Sequence, residues 1–493
     1  LFDRRLHPRQ DDLEPHRSSP PSPSPPTHPP VYLLSPPHEQ TPQLRALAPM
    51  ITWADAEQSA TRGGALELGL QGNWLLLQGL GQMVRRYQGD PQALGAAMYG
   101  VARTIDSLAA TGYNSLPLEG FAPLARFDLD APINAAIAAR DRRDFSLARR
   151  GPPDYSRIQL PAFHVGGWYD VFLEGTLQNF QRMRAAGAPG QFLVIGPWTH
   201  GKFDALMGDV YFGMAAAGAF LDLRGDLVTM QTQFFDHWLK GLPNGFEQQP
   251  AVKYFLMGAN VWKTSSTWPP ANIAEMRWYL HSGGGANTAS GDGMLSQEAP
   301  ADNETPDRYD YDPVNPAPTV GGATLLHPEF RAGPRDQRIV EARPDVLVYT
   351  SEPLSAPLEV TGPISVTLAV ATDALDTDFI ARLVDVYPDG AAMPLADGIL
   401  RMRYRNGIWN DAEPLDVGRP CYAITIDLLA TANVFLPGHC IRLDVTSSSF
   451  PRWERNLNTG ASSAASAELR VARQTILHDG EHPSYVTLPV VDA

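Results

Sequence analysis

Asp170 and His200 are the ionisable side chains of this sequence best placed for acid–base chemistry. Asp170 closes the run Gly166-Gly167-Trp168-Tyr169-Asp170, and His200 closes Gly196-Pro197-Trp198-Thr199-His200. Each run follows a short apolar stretch, residues 160–165 and 192–195, which reads as a buried strand with a tight glycine exit. In open parallel sheets, sites gather at the carboxyl ends of the strands. A carboxylate beside an imidazole fixes the ring tautomer and stabilises its cation, so the other ring nitrogen can take a proton and return it. Singly, each residue has a plainer reading: an aspartate after a strand is commonly a turn residue or helix cap, and a histidine in a loop is commonly just hydrogen-bonded. A metal site built from His164, His200 and Asp204 has no His-x-x-x-His or cysteine spacing behind it, so neither a metal nor another cofactor is expected.

The elements around the pair explain how the two loops would meet. Phe172, Thr176, Leu177, Phe180 and Met183 fall at helical spacing between the two apolar runs, giving strand, helix, strand: one βαβ unit. A right-handed crossover sets the two strands side by side or nearly so, and both loops open on one edge. Residues 44–50 read as a further strand. Residues 52–150 read as a helical cap, with one helix from Gly64 through Leu77 and another from Ala93 to Leu108. An amphipathic helix is expected from Asp222 to Leu239. Beyond residue 245 the pattern turns to alternating strands with turn signals such as Pro388-Asp389-Gly390, as in a jelly-roll β-sandwich.

Composition narrows the function classes. The 493 residues carry a formal net charge of −15, which disfavours binding to a phosphate backbone, so no nucleic-acid partner is expected. No apolar run reaches the length of a membrane span, and no leader pattern follows Arg4 and Arg5. The compartment stays open, with a soluble cytoplasmic protein as the expectation. Two cysteines, Cys421 and Cys440, exclude a disulfide framework by count; they allow one bridge, and two buried thiols are the expectation. Residues 1–42 include 12 prolines and read as a disordered or polyproline-like segment.

The two site runs, with Asp170-Val171-Phe172 and His200-Gly201, closely resemble the acid and histidine motifs of the CocE/NonD hydrolases. That group includes cocaine esterases, α-amino-acid ester hydrolases, cephalosporin acylases and X-prolyl dipeptidyl-peptidases. The run from Tyr311 to Gly322, Asp336-Gln337-Arg338, Asp376-Thr377-Asp378-Phe379 and Asn456-Leu457-Asn458-Thr459-Gly460 are similar to its later motifs, so the likeness covers about residues 44 to 490. It implies α/β plus all-β architecture: a partial α/β-hydrolase core (44–51 and 151–245), an inserted helical cap (52–150) and a C-terminal jelly roll (246–493) after a proline-rich segment (1–43). It implies hydrolysis of a small-molecule ester or amide, or of a peptide, through an acyl-serine, without a cofactor or a membrane partner; homo-oligomers occur in such a family. Carried over, Asp170 is the triad acid and His200 the base. Trp168, Phe172 and Trp198 flank them as candidates for the substrate pocket, with buried packing as an equal reading.

The chain departs from that pattern at the nucleophile. No Gly-x-Ser-x-Gly occurs in it, and the family spacing falls on Ser24-Pro25-Pro26-Thr27-His28. A nucleophile elbow needs a strand before it and a helix after it, and Pro29, Pro30, Pro36, Pro37 and Pro42 would each cost roughly 3 kcal/mol inside that helix. Ser35 precedes two prolines; Ser107 and Ser115 belong to the cap. The expectation is therefore an N-terminally truncated or frame-damaged member, inactive as it stands. The alternative is a degenerate, non-catalytic binding protein that uses its jelly roll.

Overall fold

The computed structural model describes residues 44–492 apart from 56, 57, 59, 143–152 and 409. The proline-rich segment 1–43 lies outside the described residues.

The first layer is a mostly parallel sheet. Strands β3 (Ala162–Tyr169) and β4 (Gln191–Thr199) pair in parallel from Ala162↔Gln191 to Tyr169↔Thr199. Every residue of both is buried, as expected where both faces of a parallel sheet are covered. Leu47 and Met50 bridge in parallel to Ala162 and Val165, so the stretch read as a strand lies alongside β3. Helix α5 (Leu173–Ala185) crosses between β3 and β4 and buries Leu177, Phe180 and Met183, which accounts for their spacing. Two expectations shift here. The helix foreseen from Asp222 begins later, as α6 (Leu227–Lys240), because the Asp226 carboxylate accepts from the Thr229 amide at 2.8 Å and caps it there. The sheet also runs past residue 245: after a short hairpin of β5 (Leu206–Met207) and β6 (Val210–Tyr211), β7 (Val252–Leu256) joins β4 in parallel and β8 (Val261–Ser265) closes the edge antiparallel. Short apolar strands read alike in either domain, and only the pairing partner tells them apart.

The cap opens differently from its expected form. A two-stranded hairpin, β1 (Thr61–Arg62) and β2 (Ala65–Leu66), precedes helix α1 (Leu68–Arg86), so the helix starts four residues after Gly64. Gly63 and Gly64 both have positive φ, 53° and 86°, a turn open to glycine, and this overrides the apolar spacing that suggested a helix. Helices α2 (Pro91–Leu108), α3 (Ala122–Ala125) and α4 (Ala131–Arg142) complete the cap, with Leu76, Met83, Val101, Leu108, Phe121 and Ile133 in a core of its own.

The C-terminal domain is a β-sandwich of strands β9 (Ile273–His281), β10 (Met294–Ser296), β11 (Asp307–Tyr311), β12 (Leu347–Thr350), β13 (Leu358–Thr372), β14 (Asp378–Val386), β15 (Ala392–Arg401), β16 (Tyr422–Phe435), β17 (Cys440–Thr446), β18 (Ala472–Leu477) and β19 (Tyr485–Val491). They hydrogen-bond in the order β11-β18-β13-β19-β9-β10-β12-β17-β14-β15, with β16 on β13. Alternation in β16, inward at Tyr422, Ile424, Ile426 and Leu428, is the half-buried pattern of such a strand. Cys421 and Cys440 are free thiols, half-buried rather than buried.

Cap and sandwich meet over buried ion pairs. Glu454 accepts from the guanidinium groups of Arg140 on the cap and Arg401 on β15, from the Ser463 hydroxyl, and from the Leu66 amide at 3.1 Å. Arg401 also grips Asp378 through two bonds of 2.9 Å. Burial raises the Glu454 pKa, but the two arginines outweigh it and hold the carboxyl below its usual range.

Candidate active site

The ends of β3 and β4 converge because small residues let them. A Cβ on Gly167 would lie 2.3 Å from the Trp198 carbonyl oxygen, so only glycine permits this approach. Past this point the chain turns: the Asp170 amide donates to the Gly167 carbonyl at 3.0 Å, and the Leu173 amide, opening α5, donates to the Asp170 carbonyl at 3.0 Å. The Asp170 side chain, fully buried, is thereby held at the N-terminal end of α5, where the helix dipole favours a negative charge.

The structure brings Asp170 and His200 together. The His200 Nδ1 lies 2.9 Å from Asp170 Oδ1, which also accepts the Phe172 amide at 3.1 Å. A carboxylate facing Nδ1 selects the tautomer with the proton on Nδ1, leaving a lone pair on Nε2. Nε2 has no hydrogen-bond partner among the described residues, and the His200 side chain is 23% exposed. Asp170 Oδ2 is buried without a donor among the described residues, an orphan of the kind that a water or a further donor satisfies.

The three aromatic candidates separate. The Phe172 ring stands edge-on to the His200 imidazole at 5.2 Å and is itself backed by Trp53 at 5.0 Å. Trp198 is wholly buried, donates to the Ala216 carbonyl at 2.8 Å, and packs on Phe203 and Trp262. Trp168 is equally deep: it donates to the Phe255 carbonyl at 2.7 Å and packs on Trp268. Both indoles have their polar edge satisfied by main chain, which is what burial of a tryptophan demands. His164 lies inside β3 with its Nε2 2.9 Å from Gln191, and burial pushes its pKa down to about 4. No group of three metal-ligating side chains occurs among the described residues, so His164, His200 and Asp204 do not converge. Ser107 donates to the Thr104 carbonyl within α2.

The pattern also hid a neighbour of the site. Arg62 of β1 donates to the Val171 carbonyl at 3.2 Å and to Glu174 at 3.0 Å, both within four residues of Asp170. Its only sequence signal is an arginine before Gly63-Gly64, where the apolar spacing that follows points to a helix instead of a turn.

A second serine, histidine and carboxylate cluster lies in the sandwich. Ser282 Oγ is 3.1 Å from His478 Nε2, and His478 Nδ1 is 3.2 Å from Glu304. The arrangement is not a nucleophile with its base. Both ring nitrogens face carboxylates, since Asp307 is 3.0 Å from Nε2, and the Ser282 hydroxyl donates to Asp307 at 2.7 Å. Burial lowers the His478 pKa, but Asp307 and Glu304 outweigh it and the net shift is upward from 6.5. Linkage gives the sign: the stability is fully present below the unfolded value and is lost as pH rises through the higher folded value. The thermal unfolding midpoint should therefore fall as pH rises above about 6.5, and His478→Gln should flatten that slope. A slope unchanged in the variant would place the titration elsewhere.

Comparison with known proteins finds two family matches along the chain. A family model for X-Pro dipeptidyl-peptidase (S15 family) matches residues 34–202, and a model for the X-Pro dipeptidyl-peptidase C-terminal non-catalytic domain matches residues 244–487. The cocaine esterase of a Rhodococcus species is 36% identical over 455 residues, 91% of this chain and 76% of that protein. Among solved structures, an aminopeptidase from a marine-sediment Thaumarchaeota archaeon superposes with a TM-score of 0.66 at 23% identity, covering 92% of this chain and 73% of that one. An α-amino acid ester hydrolase gives a TM-score of 0.60 at 22% identity, covering 91% and 73%.

Proposed function

Since the chain belongs to the CocE/NonD family of serine hydrolases, related to the S15 X-Pro dipeptidyl-peptidases, we propose that Asp170 and His200 are the acid and base of an acyl-transfer site. The site would cleave an ester or amide through an acyl-serine, with water as the final acceptor. The single observation that carries this reading is the 2.9 Å contact between His200 Nδ1 and Asp170 Oδ1, with Nε2 left without a partner among the described residues. In such a site Nε2 takes the proton of a serine hydroxyl as its oxygen attacks the acyl carbon. The imidazolium, stabilised by Asp170, then returns the proton to the leaving group. The edge of Phe172 beside the imidazole suits it as an apolar wall for the substrate.

The nucleophile is the part these residues do not supply in elbow form: no Gly-x-Ser-x-Gly occurs among the 493 residues. With no hydroxyl bonded to Nε2 among the described residues, the pair has nothing there to activate. The chain by itself should therefore give no burst of product with an activated ester and gain no mass from a fluorophosphonate. A stoichiometric adduct on any serine would overturn this half of the reading and identify the nucleophile directly.

A further inference from the structure

Arg62 lies in a two-residue strand at the entrance to the cap, yet its guanidinium is 7% exposed and each of its nitrogens has an assigned acceptor. Nη2 donates to the Val171 carbonyl at 3.2 Å, Nη1 to Glu174 Oε2 at 3.0 Å and Nε to Glu67 Oε1 at 3.3 Å. The first two acceptors flank the turn that presents Asp170 to His200. The third leads away from it: Glu67 Oε1 also accepts the Trp453 indole at 3.0 Å, and its Oε2 is 3.9 Å from Arg452, whose guanidinium holds Asp397 at 2.6 Å. Trp453, Arg452 and Asp397 belong to the sandwich. The hairpin itself is pressed on that domain, for the Arg401 amide donates to the Gly63 carbonyl at 2.8 Å, and a Cβ on Gly63 would lie 1.8 Å from the Ile399 carbonyl oxygen.

We propose that Arg62 is a positioning residue of the site, which fixes the turn 170–174 through the Val171 carbonyl and Glu174 and anchors that turn to the β-sandwich through Glu67. The proposal rests on the reading of Asp170 and His200 as the acid–base pair. The plainer role, neutralising Glu67 and Glu174, needs only a positive charge. Positioning needs the fork, because a planar guanidinium reaches a carbonyl and two carboxylates at once and an ammonium cannot. The sandwich would thereby set the geometry of the histidine's partner without touching the histidine.

The test uses the chain as it stands and reads the exchange rate of the His200 Nδ1 proton with water in ring-labelled protein. Removing hydrogen bonds made by a charged donor should loosen the turn enough for Arg62→Met to exchange about tenfold faster. Arg62→Lys should fall between the two, restoring the charge but not the fork. Asp170→Ala, which leaves no acceptor facing Nδ1, is the control and should abolish the Nδ1 proton signal. If Asp170→Ala leaves the signal unchanged, the acid–base reading fails. If that control responds while folded Arg62→Met matches the parent, the Arg62 proposal fails alone. Should the methionine variant not fold, Arg62→Lys decides: a rate equal to the parent's overturns the proposal.

Discussion

With a strand, a Gly-x-Ser-x-Gly turn and a helix joined ahead of residue 44, His200→Ala is expected to lower turnover of an activated ester by about 10⁴- to 10⁶-fold. The size follows from the geometry. On the proposed reading His200 is the base; its Nε2 remains without a partner among the described residues, and its ring is held by Asp170 and Phe172. Removing it leaves the serine as an ordinary alcohol. Asp170→Asn should cost about 10⁴-fold in the same protein. An amide that offers its nitrogen to Nδ1 forces the proton onto Nε2, the atom that must accept it. An amide that offers its oxygen gives up the charge that stabilises the imidazolium. The double variant should be little worse than the worse single, because the two residues act as one unit. Steady-state and burst kinetics on the four proteins check this. Independent, additive losses would mean that the two side chains do not work together.

The largest expected loss of stability is at Glu454. Its carboxylate is buried and shared by Arg140 of the cap and Arg401 of the sandwich. Glu454→Gln keeps the shape but leaves buried arginine charge under-compensated, and breaking a buried pair in this way costs about 3–5 kcal/mol. The cost should appear as a lower urea midpoint at neutral pH. Arg140→Met added to Glu454→Gln should recover part of it, since one of the uncompensated charges is then gone. The same carboxyl contributes to the acid limb: with its folded pKa depressed, its stabilisation is present above its ordinary value of 4.5 and is lost as pH falls through the folded value. A midpoint in Glu454→Gln equal to the parent's would show that the junction tolerates the missing charge.

The βαβ unit and the meeting of its loops were legible because they depend on local signals. The apolar runs, their glycine exits and the spacing of Leu177, Phe180 and Met183 each specify one element, and the handedness of the crossover then leaves little freedom for Asp170 and His200. Other features depend on distant partners and could not be read locally. The hairpin at Thr61–Leu66 resembled the start of a helix until the sandwich strand beneath it was known. Val252–Leu256 looked like any short apolar strand, and only its register with Leu193 places it in the first sheet. Trp168 and Trp198 flank the site in sequence, but both lie within strands that end before Asp170 and His200, and their indoles are buried in the core. Arg62 lies 108 residues before Asp170 and reaches its turn only through the fold.

The proposed role of His200 requires its proton on one particular nitrogen, and a ¹⁵N spectrum of the histidine ring in the chain as it stands, at neutral pH, reads this directly. The expected result is the tautomer with the proton on Nδ1, its signal lost in Asp170→Ala. A ring protonated on Nε2, with Nδ1 bare beside Asp170, would contradict the assignment of His200 as the base.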